Sequence, residues 1–204
     1  MQTQPLKRQF QDFQQQMQRV GILVVDTQVP CTKYQQKEWG APTRADKNAI
    51  ESINALLKYA RRSGINTVLV EHIDRYSSTG LVKPGLPICE SIIKSAGSSA
   101  KIFVKEGVQD AFEHEGLAAY FEKYGPKHLV VCGMHRDICV YQTAKSAVEK
   151  GHAVIASEEL FITRGDLPSS QASAFYQTKT LLLAFSRLFS YIDALLYGKV
   201  FPAA

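Results

Sequence analysis

The sequence lacks an apolar run long enough to cross a membrane. Its longest runs, such as 21–25 and 129–134, fall well short of the ~20 residues that a spanning helix needs. No apolar stretch precedes Val20, which argues against a secretory signal. Lysines and arginines are scattered rather than gathered in a stripe with aromatics, so the net charge of +5 does not indicate a nucleic-acid partner. We therefore expect a cytoplasmic protein that binds neither membrane nor nucleic acid.

Cysteine is scarce, and no two cysteines form a CxxC pair. The four are Cys31, Cys89, Cys132 and Cys139. Without paired spacing, the sequence offers neither a zinc motif nor a redox disulfide motif, and cysteines of a cytoplasmic protein are expected to be reduced. Cys132 lies inside an apolar strand run and is predicted to be a small core residue. Cys139 does not lie in such a run.

The order of elements predicts an α/β fold. Strands are predicted at 20–26, 66–72, 101–104, 128–134 and 152–156, with a short sixth strand near Leu188. Helices are predicted at 44–63, 89–94, 117–124, 138–150, 170–184 and 192–197. The strands are apolar throughout rather than at every second residue, which favours a parallel sheet covered on both faces.

The first 19 residues are predicted to form a helical extension to a single domain, residues 20–204. Leu6, Phe10, Phe13 and Met17 recur at spacings of four, three and four, which gives a helix one thin apolar face. We expect this face to pack on the body of the protein or on a second subunit. A homodimer or higher homo-oligomer is therefore expected.

Three predicted strands end near reactive side chains: Asp26, Lys105 and Cys139. Ligands of parallel α/β sheets bind beyond the carboxyl ends of the strands. Cys139 falls in the first turn of a helix, where the helix dipole and a nearby lysine favour a thiolate. An aspartate in reach could accept the thiol proton, and the N–H groups of the turn could hold an oxyanion. Each residue alone is more often structural, but together at one sheet edge they indicate a site.

The chain resembles the isochorismatase-like cysteine hydrolases from about residue 20 to about residue 162. The resemblance rests on Val24-Val25-Asp26-Thr27-Gln28, on Val104-Lys105 followed by Asp110-Ala111-Phe112, and on Gly133-Met134-His135-Arg136-Asp137-Ile138-Cys139-Val140 with Thr143-Ala144 and Ala147. It implies a three-layer α/β/α sandwich with a six-stranded parallel sheet of Rossmann-like type. It also implies a catalytic triad of Asp26, Lys105 and Cys139.

The resemblance further implies a non-proline cis peptide at Met134–His135, with the N–H groups of His135 and Cys139 as the oxyanion hole. The implied reaction is cleavage of a C–N bond in a small amide, ureide or carbamoyl compound through a thioester, without a cofactor. Two alternatives stay open. One is vinyl-ether hydrolysis of the isochorismatase type, which needs no thiol. The other is a non-catalytic member that binds a small molecule or a protein partner.

The sequence departs from the nicotinamidase-like members at the position where those proteins bind metal. They carry an Asp-x-His pattern after the second strand, whereas this chain has Val70-Glu71-His72. His72 is therefore interpreted as a strand-end residue. His72 and Asp74 would lack a third ligand, so no metal is predicted, and activity is expected to survive chelation.

Four residues are predicted to contact substrate: Gln28, Trp39, Phe112 and Arg136. Trp39 and Phe112, together with Tyr34, are candidates for the wall of the substrate pocket. The alternative is that these aromatic side chains only pack within the protein. Gln28 could instead tie down its loop. Arg136 replaces the threonine common in relatives, and its planar charged fork suits an anionic substrate. Alternatively, Arg136 points to solvent or pairs with Glu158 or Glu159.

Overall fold

The computed structural model describes residues 19–30, 36, 41–73, 86–163 and 170–197. The strands are β1 Val20–Val25, β2 Asn66–Ile73, β3 Lys101–Glu106, β4 His128–Met134, β5 Ala153–Ala156, β6 Phe161–Ile162 and β7 Leu181–Leu182. The helices are α1 Arg44–Ser63, α2 Glu90–Ala96, α3 Glu115–Tyr124, α4 Tyr141–Glu149, α5 Ser170–Lys179 and α6 Phe185–Tyr197. The N-terminal extension, Cys31, Tyr34, Trp39 and Asp74 lie outside the described residues, so the predictions on them stay predictions.

The strands form one parallel sheet in the order β3-β2-β1-β4-β5-β7, with β6 beside β4. From β1 the chain builds outward to β2 and β3, and then returns to add β4 on the other side of β1. The strand order therefore reverses between β1 and β4. In open parallel sheets such a reversal leaves a crevice at the carboxyl ends of the two strands, where ligands bind.

Two apolar cores, one on each face of the sheet, make the fold a three-layer sandwich. One core joins the sheet to α1, α2 and α6, and the other joins it to α3, α4 and α5. Strand β1 is buried along its whole length, and its alternate residues belong to the two different cores. This explains why β1 is apolar throughout. The predicted α/β/α sandwich is confirmed, with seven strands rather than six in the described part of the chain.

Helix α1 has the bounds that its sequence predicts, because both of its ends carry local signals. Thr43 accepts a hydrogen bond from the N–H of Asp46, and the Asp46 carboxylate accepts one from the N–H of Thr43. This reciprocal capping box starts the helix. Gly64 ends it with a left-handed φ of 66°.

The C-terminal elements differ from the prediction. The helix predicted at 170–184 ends at Lys179, because Leu181–Leu182 pair with β5 as strand β7. The strand predicted near Leu188 is wrong: Leu188 is buried in α6. Leu188, Ile192 and Leu196 are buried at spacings of four, which is the helical period. Among the described helices, none is both long and apolar enough to span a bilayer.

The cysteines divide into two kinds. Cys132 and Cys139 are free, and Cys132 is fully buried in β4, as predicted. Cys89, just before α2, is disulfide-bonded. The prediction that all four cysteines are reduced is therefore wrong for Cys89. A structural disulfide depends on the distance between two cysteines in the folded protein, which their spacing along the chain does not reveal.

Candidate active site

Asp26 follows β1, at the reversal point of the sheet. Its N–H donates to the carbonyl of Val70 at 2.9 Å, which continues the pairing with β2 by one residue. The backbone then turns sharply, with a φ of 51° at Asp26. Aspartate tolerates this left-handed region better than most residues, but such conformations are costly and cluster at functional sites. The turn leaves Asp26 only 4% exposed.

Lys105 is the one residue of β3 that is buried, with 1% exposure. Strand β3 runs through Glu106, two residues beyond the predicted end, so Lys105 lies within the strand and opposite His72 of β2. Its ammonium lies 2.9 Å from Asp26 Oδ2 and donates to the carbonyl of Gln109 at 2.5 Å. A buried ammonium needs such partners, because an unpaired charge is very costly away from water.

Cys139 reaches the crevice through a tight turn after β4. Gly133 has a φ of 119°, and a Cβ at this position would lie 2.0 Å from the carbonyl oxygen of Val25. Only glycine therefore allows β4 to approach β1 so closely here. The peptide Met134–His135 is cis, as the resemblance implies. A single π-helical turn, Arg136–Val140, then holds Cys139 directly before α4. Such turns are frequent at functional sites.

The structure brings Asp26, Lys105 and Cys139 together. Cys139 Sγ lies within 4.8 Å of a carboxylate oxygen of Asp26, and the charge of Lys105 acts on both Asp26 and Cys139. All three side chains come from the carboxyl ends of β1, β3 and β4, as expected for parallel strands. Cys139 is 9% exposed, so all three side chains of the cluster are largely shielded from bulk water.

The electrostatics of this cluster differ from the prediction of a resting thiolate. Burial, with the Asp26 carboxylate acting in the same direction, raises the pKa of the Cys139 thiol to about 12, and Lys105 opposes only part of this effect. Burial also raises the pKa of Asp26 above its ordinary value, although Lys105 and Cys139 counteract it. The resting site therefore holds a neutral thiol beside an Asp26–Lys105 ion pair. Loss of solvation outweighs the helix dipole and the lysine.

The motif Asp110-Ala111-Phe112 ties the loop after β3 to α4, the helix that directly follows the turn with Cys139. The Asp110 carboxylate accepts from the N–H of Phe112 at 2.9 Å and from the Ser146 hydroxyl. The N–H of Ala111 donates to Thr143 Oγ1 at 3.0 Å. Since the same loop supplies the Gln109 carbonyl to Lys105, these contacts fix Lys105 relative to α4.

Gln28 is a structural clamp in this molecule. Its Oε1 accepts from the N–H of His72 at 2.7 Å, and its Nε2 donates to the carbonyls of His72 at 2.7 Å and Leu86 at 2.5 Å. Both amide hydrogens are therefore used within the protein. The loop-tying alternative describes Gln28, and the prediction that it contacts substrate is corrected accordingly.

Phe112 also packs within the protein rather than lining a pocket. Its ring lies 5.3 Å from the ring of Phe121 and 6.1 Å from that of His152, measured between centroids. His152 immediately precedes β5, so this stack lies toward the amino ends of the strands, away from Asp26 and Cys139. The packing alternative therefore holds for Phe112. Trp39 lies outside the described residues.

Arg136 is engaged by protein partners. Its guanidinium lies 3.2 Å from Glu158 Oε2 and 3.5 Å from Asp137 Oδ1, and it donates to the hydroxyl of Ser173 at 2.7 Å. The side-chain hydroxyl of Tyr176 donates a hydrogen bond to the backbone carbonyl of Arg136. The prediction that Arg136 offers a free fork to an anionic substrate is therefore corrected in favour of the pairing with Glu158.

His135 stabilises the turn that leads from β4 to Cys139. Its carbonyl accepts hydrogen bonds from the N–H groups of Ile138 at 3.0 Å and Val140 at 3.1 Å, and its ring Nδ1 lies 3.1 Å from the carbonyl of Thr163. These contacts fold the chain back on itself directly before Cys139. The orientation of the His135 and Cys139 backbone is thereby held by neighbours on both sides.

His72 is the residue that sequence reasoning missed. Its Nδ1 lies 3.9 Å from Asp26 Oδ2, and one ligand atom each of Asp26, His72 and Cys139 lie within 4.8 Å of one another. His72 is the next-to-last residue of β2, in agreement with its interpretation as a strand-end residue, but its approach to Asp26 was not predicted. The signal was its place at the carboxyl end of β2, between the strands that carry Asp26 and Lys105.

Comparison with known proteins identifies the family of this chain. The isochorismatase domain family matches residues 20–181, which is most of the chain and includes every residue of the cluster. The chain belongs to the isochorismatase family. A streptothricin hydrolase of Streptomyces noursei is 29% identical over 151 residues, which cover 74% of this chain and 51% of that protein. The chain thus spans about half the length of the streptothricin hydrolases that it matches, 51% of one and 56% of another.

Solved structures share the fold of this chain. A cysteine hydrolase from Pseudomonas syringae pv. phaseolicola aligns with a TM-score of 0.71 at 16% identity, covering 88% of this chain and 94% of that one. An N-carbamoylsarcosine amidase from Thermoplasma acidophilum aligns with a TM-score of 0.64 at 17% identity, covering 82% and 96%. At these identities the likeness concerns the fold alone.

Proposed function

We propose that this isochorismatase-family protein is a cysteine-dependent hydrolase that cleaves a C–N bond of a small molecule through a thioester on Cys139. The observation that carries the proposal is that the Cys139 sulfur lies within 4.8 Å of a carboxylate oxygen of Asp26, which is itself in a buried ion pair with Lys105. A nucleophile, a proton acceptor and a cation that holds the acceptor are the parts that covalent acyl transfer requires.

The first step is attack of sulfur on the substrate carbonyl. Because the resting thiol is protonated, its proton passes to Asp26 as the carbon–sulfur bond forms. The raised pKa of Asp26 makes its carboxylate a better base than an exposed aspartate. Lys105 stabilises whichever neighbour carries the negative charge, since its ammonium faces both Asp26 and Cys139.

The second step is collapse of the tetrahedral intermediate. Its oxyanion is held by the N–H groups of His135 and Cys139, on the turn that the His135 carbonyl braces. Asp26 returns its proton to the leaving nitrogen, and an amine or ammonia departs from the thioester. Asp26 then takes a proton from water, whose oxygen attacks the thioester carbon. The acid is released, and the proton returns to the Cys139 sulfur.

The C–N bond class is favoured by two named relatives. One matched sequence is a streptothricin hydrolase, and one solved structure of the same fold is an N-carbamoylsarcosine amidase. A buried, neutral thiol suits an uncharged substrate, because burial raises the pKa of Cys139 and disfavours its charged form. We therefore propose a small amide, ureide or carbamoyl compound as substrate, with no nucleic-acid or membrane partner.

A panel of small amides, ureides and carbamoyl compounds, assayed for ammonia release, tests the proposal. On any substrate found, Cys139→Ala should lower kcat/KM by at least roughly 10³-fold, because removal of a nucleophile abolishes the covalent route. Cys132→Ala is the matched control, since Cys132 is also a free, buried cysteine but lies within β4. Turnover that survives Cys139→Ala would contradict the proposal. Its survival on a vinyl ether alone would favour the isochorismatase-type reaction.

A further inference from the structure

We infer that Asp26, His72 and Cys139 form a binding site for a thiophilic divalent cation such as Zn²⁺, and that the cation competes there with the substrate. The second half of this inference rests on the proposed function, because it uses Cys139 as the nucleophile. The first half concerns metal binding alone and is tested without turnover.

The three side chains supply the donor atoms that zinc prefers: a carboxylate oxygen, an imidazole nitrogen and a sulfur. Their ligand atoms lie within 4.8 Å of one another. A tetrahedral zinc ion with bonds of about 2.0–2.3 Å holds its ligands roughly 3.3–3.8 Å apart, so the widest pair must close by about 1 Å. Rotation of side chains suffices for a movement of this size.

The surroundings fix the backbone of His72, leave the oxygens of Asp26 available as ligands and give a cation access from solvent. The backbone of His72 is fixed on both sides by the buried amide of Gln28. Neither oxygen of Asp26 accepts a hydrogen bond of good geometry within the described part of the chain, although Oδ2 lies 2.9 Å from the Lys105 ammonium. The side chain of His72 is 18% exposed, which gives a cation a route from solvent.

Three protein ligands leave a fourth position open, as in zinc sites that exchange a water or a substrate. A cation in the cluster would replace the proton of the Cys139 thiol and hold the sulfur as a thiolate. That sulfur could no longer attack a carbonyl, and the Asp26 carboxylate could no longer accept a proton. Binding of the cation and binding of the substrate should therefore exclude each other.

Lys105 should weaken binding of the cation, because its ammonium repels a second positive charge in the cluster. Its Nζ lies 2.9 Å from the Asp26 oxygen that faces His72. We therefore expect weaker binding than in a closed structural zinc site. We also expect Lys105→Met to tighten binding at least about tenfold, since like charges within about 4 Å repel strongly even at an effective dielectric constant of ~20.

The test is a titration of the full-length protein with Co²⁺, which has zinc-like ligand preferences and a visible spectrum. The expected result is one equivalent of Co²⁺ bound with a sulfur-to-cobalt charge-transfer band, and displacement of that band by Zn²⁺. Cys139→Ser should remove the band. His72→Gln should weaken binding at least tenfold, because loss of even an outer partner costs about 10- to 100-fold in metal affinity.

His128→Gln is the matched control, because His128 lies at the amino end of β4, away from the carboxyl ends that carry the cluster, and should leave the titration unchanged. Thermal unfolding of each variant verifies that it is folded, and Zn²⁺ calorimetry on His72→Asn provides a second measurement. The inference is overturned if wild-type protein shows no charge-transfer band, or if His72→Gln binds as tightly as wild type. An inactive protein that still shows the band would contradict the proposed function and leave this metal site standing.

Discussion

Replacement of Lys105 by methionine should destabilise the protein most where Asp26 is ionised. Both residues are almost fully buried, with exposures of 1% and 4%. Removal of one partner from a buried ion pair leaves an uncompensated charge and costs about 3–5 kcal/mol of unfolding free energy. We therefore expect a loss of this size at pH 8.

The loss should shrink as the pH falls, and the sign follows from Asp26. Burial raises the pKa of Asp26 in the folded protein above its ordinary value of 3.8, and Lys105 opposes that rise. Without Lys105 the folded state binds the Asp26 proton more tightly still than the unfolded state does. The unfolding free energy of the variant must therefore fall as pH rises above the unfolded pKa. As the pH falls, protonation neutralises the carboxylate in the variant and removes part of the penalty.

Urea unfolding at pH 5 and pH 8 measures this difference. Lys101→Met is the matched control, because Lys101 lies on the same strand but is exposed, and it should change stability by no more than about 0.5 kcal/mol. Asp26→Asn combined with Lys105→Met should be more stable than Lys105→Met alone at pH 8, since no charge is then buried. A Lys105→Met loss that is equal at both pH values and is not relieved by Asp26→Asn would refute the reasoning.

Three further outcomes are expected. Alkylation of Cys139 by iodoacetamide should keep rising with pH through pH 9, because burial raises the thiol pKa to about 12; a plateau below pH 8 would contradict this. Gly133→Ala should cost roughly 4 kcal/mol or more in urea unfolding, as its Cβ would meet the Val25 carbonyl at 2.0 Å, whereas Gly151→Ala, with open space around it, should cost about 1–2 kcal/mol. Arg136→Ala should change KM by the same factor for anionic and neutral substrates, since its fork is bound by Glu158; a selective loss for anions would restore the selector role.

Much of the fold could be predicted because its signals are local. The ends of α1 are encoded by Thr43, Asp46 and Gly64, and β1 is apolar because it is buried on both faces. The region after Lys179 was harder to predict. A short apolar run at 181–183 precedes a helix whose buried residues lie four apart, and only pairing of Leu181–Leu182 with β5 separates strand from helix there.

Part of the candidate site could likewise be predicted from the sequence, and part could not. Asp26, Lys105 and Cys139 were found because parallel strands bring their carboxyl ends to one edge. His72 and the Gln109 carbonyl were not, because their contacts depend on the register between strands and on the path of a loop. The prediction of a thiolate failed for a physical reason. The helix start and the lysine are visible in the sequence, whereas the burial that raises the pKa of Cys139 arises only in the folded protein.

The most direct test of the central claim is intact-mass spectrometry of the protein quenched with acid during steady-state turnover of a substrate from the amide and carbamoyl panel. The account predicts a transient mass increase equal to the acyl group of the substrate. Peptide mapping should place the adduct on Cys139, and Asp26→Asn should change how long it persists, since Asp26 activates the water that removes it. Full turnover by Cys139→Ser, or an adduct mapped to any other residue, would contradict the account.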